Sequence, residues 1–202
     1  MNLHDMFQKL RTQAANGMSV GRAGIVQDDN KVYALPLDTW LVTGTGAKLG
    51  TAAGTPAGAF GLTVGAHGTN SPRIVGEAAS GNTKTNKMRR TFTLPAEYVS
   101  GESITLRIPC KEAVGAATVS TTIDAVVHKS DGAGGIGADL CATAAQDVTT
   151  DAANKDFDIT PAGLVAGDEL DIEITGVTTD TGGTQGTILT VYRPALLLDI
   201  KG

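Results

Sequence analysis

Glu169-Leu170-Asp171-Ile172-Glu173-Ile174-Thr175 alternates polar and apolar side chains without a break. On an extended chain, successive side chains point to opposite faces. This segment therefore buries Leu170, Ile172 and Ile174 and leaves Glu169, Asp171, Glu173 and Thr175 in water. Phe157 and Ile159 alternate in the same way with Asp156, Asp158 and Thr160. The pattern predicts half-buried antiparallel strands. Working outward, the candidates are Thr39–Thr43, Phe60–Val64, Lys87–Leu94, Ser103–Cys110, Thr118–His128, Asp156–Thr160, Glu169–Val177 and Thr187–Ile200. The last run reads as two strands or as one bent at Pro194. Loops rich in Gly, Ala, Thr and Ser separate the runs, notably 44–59, 65–86 and 129–155, and these exceed the usual connection length. Short strands with no interleaved helices predict an all-β fold: a jelly-roll-like antiparallel two-sheet sandwich. An immunoglobulin-type sandwich fits less well, because Trp40 precedes both Cys110 and Cys141 and the Cys-Trp-Cys order is missing.

The sandwich is expected to occupy residues 38–202, preceded by a helix and arm over residues 1–37. Leu3, Met6, Phe7, Leu10 and Ala14 fall at helical spacing, with Asp5 early and Arg11 late, the favourable sense for the helix dipole. Asn16-Gly17 is a stop signal. Beyond it, Gly21, Gly24 and Asp28-Asp29-Asn30 supply turns and Pro36 limits pairing, so 18–37 is expected to be irregular or weakly extended.

Composition excludes several classes. A chain of 202 residues can bury a core without metal or disulfide staples. Sixteen Lys and Arg against twenty-one Asp and Glu give a net charge of −5, which makes duplex nucleic acid a poor partner. No stretch approaches the ~20 apolar residues that cross a bilayer. The first residues, Met1-Asn2-Leu3-His4-Asp5, lack the cationic start of a signal peptide, so synthesis in a cytoplasm is expected. Cys110 and Cys141 fit buried, reduced thiols better than a disulfide. Charge is segregated: Arg73, Lys84, Lys87, Arg89 and Arg90 outnumber Glu77 in 71–90, whereas acidic residues dominate from Asp151 onward. The five basic residues are the candidate protein-docking patch.

No motif carries a reaction. Gly44-Thr45-Gly46-Ala47-Lys48-Leu49-Gly50 misses the dinucleotide-binding spacing by one residue and precedes no helix pattern. Asp131-Gly132-Ala133-Gly134-Gly135-Ile136-Gly137-Ala138-Asp139 is acidic only at its ends, a glycine turn rather than a cation loop. His128 and Asp124 share a strand face but stand ~13 Å apart along it, too far for catalysis. His4 and His67 lie elsewhere, so no metal-ligand spacing emerges. Catalytic, cofactor-binding and metal-binding residues are not expected.

Three passages carry a resemblance. Arg90-Thr-Phe-Thr-Leu-Pro-Ala-Glu-Tyr-Val-Ser-Gly-Glu-Ser-Ile-Thr-Leu-Arg107 resembles a strand-turn-strand passage of tailed-phage virion proteins. Lys129 to Gln146 is similar to a loop of the same proteins, and Phe157 to Ile174 with Leu196 to Gly202 matches their style. The likeness covers about residues 87–202. It implies a capsid cement (decoration) protein: a jelly-roll homotrimer on the capsid exterior of the virion, with the major capsid protein and its own copies as partners. Such proteins bring no catalytic residues and no cofactor. The alternative is an adhesion or head-fibre module that binds a host receptor or glycan.

Overall fold

The computed structural model describes residues 18–21, 24–51, 58–113, 119–182 and 186–201. The helix expected over 3–15 lies outside the described residues. Within them the chain is all-β, its one helical element being a 3-10 turn at Leu37–Thr39. The strands are β1 (Met18–Gly21), β2 (Gly24–Ala34), β3 (Leu41–Val42), β4 (Gly61–Thr63), β5 (Arg73–Val75), β6 (Thr83–Thr93), β7 (Ile104–Ala113), β8 (Val119–Ser130), β9 (Ile136–Asp139), β10 (Gln146–Val148), β11 (Ala153–Ile159), β12 (Glu169–Asp180), β13 (Ile188–Val191) and β14 (Ala195–Lys201). They form two antiparallel sheets, as the alternation predicts.

The quoted segment lies at the centre of the second sheet. β12 pairs with β6 on one side and β8 on the other, from Leu170 to Thr179 in both ladders. β3 extends the β6 edge, while β9 and β10 share the β8 edge. Leu170, Ile172 and Ile174 are fully buried, with Met88 of β6 and Ile123, Ala125 and Val127 of β8 on the same inner face. Opposite them, the first sheet contributes Ile104, Leu106, Ile108, Phe157, Leu189, Leu196 and Leu198. Each such side chain stabilises the fold by roughly 1.5–3 kcal/mol on burial.

The first sheet is organised around β7. β11 pairs along one side, from Ile159↔Ile104 to Ala153↔Cys110. The other side is shared end to end: Ala195–Leu198 of β14 against Arg107–Ile104, then Ile188–Val191 of β13 against Ala113–Cys110. Between them Tyr192, Arg193 and Pro194 face only Ile108 and Pro109, so one residue is extra and the strand bulges. The Tyr192 amide donates to Pro109 O at 2.8 Å, and Pro194 O accepts from the Leu35 amide at 2.8 Å. The run from 187 to 200 is therefore two strands, divided at the proline. Beyond the bulge β14 pairs with β2, whereas β13 pairs with β5 and then β4.

The expected arm is corrected in part. Residues 24–34 are not irregular: β2 pairs with β14 from Ala34↔Ala195 to Asp28↔Lys201. A neighbouring strand satisfied the backbone that Asp28-Asp29-Asn30 would otherwise have turned. Gly24–Gln27 continue past Lys201 and, among the described residues, pair only with β1, as a hairpin (Met18↔Gln27 to Gly21↔Gly24). Likewise, the loops expected at 65–86 and 129–155 contain β5, β9 and β10.

Candidate binding surfaces

The five basic residues of the expected docking patch do not form one surface. Lys87 and Arg89 point outward from β6. Lys84 and Arg90 take the opposite face, because side chains alternate. Arg73 belongs to β5 in the other sheet. Their charge is also largely spent within the chain. Lys84 Nζ lies 3.0 Å from Glu77 Oε1 and Lys87 Nζ 2.8 Å from Glu173 Oε1. Arg89 grips Asp171 with two nitrogens, Nε donating at 2.6 Å to Oδ1. Arg90 stacks over the Trp40 ring at 5.7 Å and donates to Thr39 Oγ1 at 2.8 Å. Trp40 itself is wholly buried, so it is core and not a platform.

On the outer face of the second sheet, Arg89, Val126, His128, Ile136, Asp171 and Glu173 line a shallow basin of about 150 Å³. Here His128 stands directly opposite Asp171 in the ladder, a pairing that sequence spacing did not reveal. An acid–base couple needs a carboxylate free to take a proton. Both carboxylates here are held by cations, and His128 Nδ1 contacts Gly137 O at 2.9 Å.

The acidic ends of the 131–139 turn are likewise engaged by backbone. Asp131 Oδ1 accepts from the Ala133 and Gly135 amides, and Asp139 Oδ1 from those of Val127 and Cys141. Gly132 and Gly134 supply the positive φ that this tight turn requires. The Gly44–Gly50 segment folds back on itself, with the Val42 amide donating to Ala47 O at 2.7 Å, so it is a hairpin turn and not a phosphate cradle. Among the described residues, no three His, Cys, Asp or Glu side chains gather as a metal site would require.

Ion pairs set the titration of the surface carboxylates. Lys84 beside Glu77 holds its carboxyl below the ordinary range, as Arg107 does for Asp156, gripped at 2.7 and 2.6 Å. Hydrogen bonds from Tyr33 and Lys31 do the same for Glu97. Cys110 is free and its thiol is pushed up to about 11 by burial; Cys141 is also free and raised. Two reduced thiols, as expected, make no staple.

A concavity arises where the first sheet divides. At the bulge, β14 with β2 separates from β13 with β5 and β4. The gap is a groove of about 670 Å³ lined by Pro36, Leu37, Leu62, Val64, Pro72 and Tyr192, with Asp38, Ser71 and Arg193 as polar members. Val64 is 62% exposed there, although it is a large apolar side chain. The signal in the sequence was the break in alternation at Tyr192-Arg193-Pro194; it located the bend but not the groove.

No protein-family model matches the chain, and no curated protein matches it in sequence. Among solved structures, the chain is similar to the xylan-binding domain CBM22-1 of Xyn10C from Paenibacillus barcinonensis, at 12% identity and a TM-score of 0.46 over 87% of this chain and 97% of that one. It is also similar to TmCBM27, a carbohydrate-binding module studied for specific mannan recognition, at 14% identity and a TM-score of 0.38 over 83% and 98%. A third likeness is to an arabinose-bound α-L-arabinofuranosidase, MgGH51, at 9% identity and a TM-score of 0.44; it takes in 83% of this chain but 25% of that one.

Proposed function

We propose that the chain is a non-enzymatic cement protein of a phage head, which binds the assembled major capsid lattice as a homotrimer and stabilises the shell from outside. The observation that carries this reading is the β1–β2 hairpin. Its residues 18–21 and 24–27 run past the last described pair of β14 and, among the described residues, pair in the sheet only with each other. Strand edges left open in this way are templates for pairing with another chain. The resemblance of residues 87–202 to virion structural proteins supports the same reading. A protein that binds the assembled lattice and not the loose subunit stabilises the shell by mass action. Three copies linked in a trimer would add avidity without any strong single contact.

The test is co-sedimentation with purified capsids that lack this protein. Binding that saturates at a fixed ratio to capsid subunits, with capsids surviving higher temperature or chelation, is the expected result. Light scattering after size exclusion reads the trimer. A second reading, a virion adhesion or head-fibre module that binds glycan, is favoured by one observation: Tyr192 borders the groove beside Asp38, Ser71 and Arg193, an aromatic with converging polar groups. Glycan-array binding lost in Tyr192→Ala, with no capsid binding, would replace the first reading with the second.

A further inference from the structure

Unlike Lys84, Lys87 and Arg89 beside it on β6, Arg90 has no carboxylate partner among the described residues. It is half-buried, with its guanidinium 5.7 Å over the ring of the wholly buried Trp40. Its hydrogen bonds hold it in place and leave its charge unmet. Nη1 donates to Thr39 Oγ1 at 2.8 Å, that hydroxyl gives its own proton to Pro36 O at 2.7 Å, and Nε donates to Thr91 O at 3.3 Å. The remaining N–H groups of the guanidinium, those of Nη2 among them, have no partner among the described residues. Burial lowers the Arg90 pKa, and Asp38 opposes this by its field alone, without an ion pair. A pocket lies beside it at a sheet edge. β3 pairs with β6 as far as Leu41↔Arg89, the chain before Leu41 comes from the 3-10 turn, and the β6 edge at Arg90 and Thr91 is open among the described residues. There Thr39, Gly44, Gly46, Arg89, Arg90 and Thr91 line, with β3, a cavity of about 460 Å³. Trp40 Nε1 and Thr43 Oγ1, unpartnered in the same segment, are shielded from solvent and take no part in it.

We propose that this pocket receives one carboxylate of an acidic polypeptide segment, an aspartate or glutamate side chain met by the free N–H groups of Arg90. A guanidinium already held by Thr39 and Thr91 is oriented before the ligand arrives, so little freedom is lost on pairing, and its planar fork matches the two oxygens of a carboxylate. Partial burial makes that pairing worth more than it is on an open surface. Charge selects the ligand. Arg89 is cancelled by Asp171. Arg90, together with Lys48 across the bridge from Leu41, stands against Asp38 and leaves a single excess positive charge. A carboxylate balances that charge, whereas a phosphate group carries about −1.5 to −2. The open β6 edge favours a polypeptide over a free small acid, because an extended segment can pair with its backbone groups while one side chain reaches Arg90. Gly44 and Gly46 put no side chain across the mouth.

The test uses the full chain and the fluorescence of Trp40, its one tryptophan, whose ring lies beneath Arg90. The probe is a capped peptide with a single aspartate between threonines, and the same peptide with asparagine is the control. The aspartate peptide is expected to give a saturable change and to bind at least about tenfold more tightly than the control. Arg90→Gln should abolish that preference. Should this variant not fold, Asp38→Asn decides: it removes the competing anion from an exposed position, so it should tighten the aspartate peptide about two- to fivefold and leave the control unchanged. Sodium acetate and sodium phosphate at matched ionic strength should each bind more weakly than the aspartate peptide. Equal binding of the two peptides, a preference that survives Arg90→Gln, or an unchanged or looser complex in Asp38→Asn would overturn the site. Tighter binding of phosphate would overturn the carboxylate as its ligand, and acetate binding as tightly as the peptide would overturn the polypeptide. None of these outcomes depends on whether the protein binds capsids.

Discussion

Lys87 and Arg89 stand two residues apart on β6 and hold Glu173 and Asp171, two residues apart on β12, yet the two ion pairs differ in weight. The Asp171 side chain is 7% exposed and the Glu173 side chain 22%. Removing the cation leaves Asp171 desolvated and alone, whereas Glu173 can turn to water. Arg89→Met should therefore destabilise the fold by about 1–3 kcal/mol. Lys87→Met should cost less than about 1 kcal/mol. Urea unfolding at constant m reads both, and Arg89→Met combined with Asp171→Val should recover much of the first loss. The more exposed pairs act through pH. Glu77, Glu97 and Asp156 are held below their ordinary range in the folded chain. The unfolded chain then binds more protons in acid, so their contribution is full above the unfolded values and disappears as pH falls through the folded ones. The urea midpoint should thus be flat from about pH 7 to pH 5 and fall below about pH 4.5. Half-molar salt should shrink that fall, because these carboxylates are partly in water and screened. A fall that began near pH 6 would point to histidine instead.

At the scale of elements, β12 depends on a residue with no side chain. At Gly176 the sheets come close enough that a Cβ would collide with Leu189 and stand 2.8 Å from Phe60 Cζ. Gly176→Ala should cost about 1–3 kcal/mol through overpacking, although alanine is no worse in a strand. Leu189→Ala alone should cost about 2–5 kcal/mol. The double variant should be less unstable than the sum by more than about 0.5 kcal/mol, since the space that one empties the other fills. Additivity within error would mean that the two do not touch. Strands such as this were legible in the sequence, because Leu170, Ile172 and Ile174 report their environment through period alone. β2 was not, because Asp28-Asp29-Asn30 carries local turn propensity that pairing with β14 overrides. The five basic residues are divided for a related reason: Lys84, Lys87, Arg89 and Arg90 are neighbours in sequence, but alternation sends them to opposite faces. The groove brings together residues far apart in the chain, such as Leu37, Leu62 and Tyr192, and no local pattern encodes that.

For the whole molecule, the same strand decides how the proposed arm can be tested without destroying the body that carries it. Asp28–Ala34 belong to the sandwich. They line one side of β14, which carries the buried Leu196 and Leu198, and they lead into Leu35 and Trp40, both wholly buried. Deleting residues 1–35 would strip β14 of its outer partner and remove Leu35, and capsid binding lost in that variant would say nothing about docking. Deleting residues 1–27 removes β1 and the part of β2 that pairs with it, and leaves the whole β2–β14 ladder. The shorter deletion should keep the melting temperature within a few degrees and the far-ultraviolet spectrum of a β protein, because, among the described residues, it removes none that pairs with the body. Its capsid occupancy should drop steeply, and trimer formation, read separately by light scattering, shows whether the arm grips a sister copy or the shell. Full occupancy by a folded 28–202 chain would take the hairpin out of the interface and leave the groove at Tyr192 as the surface to test next.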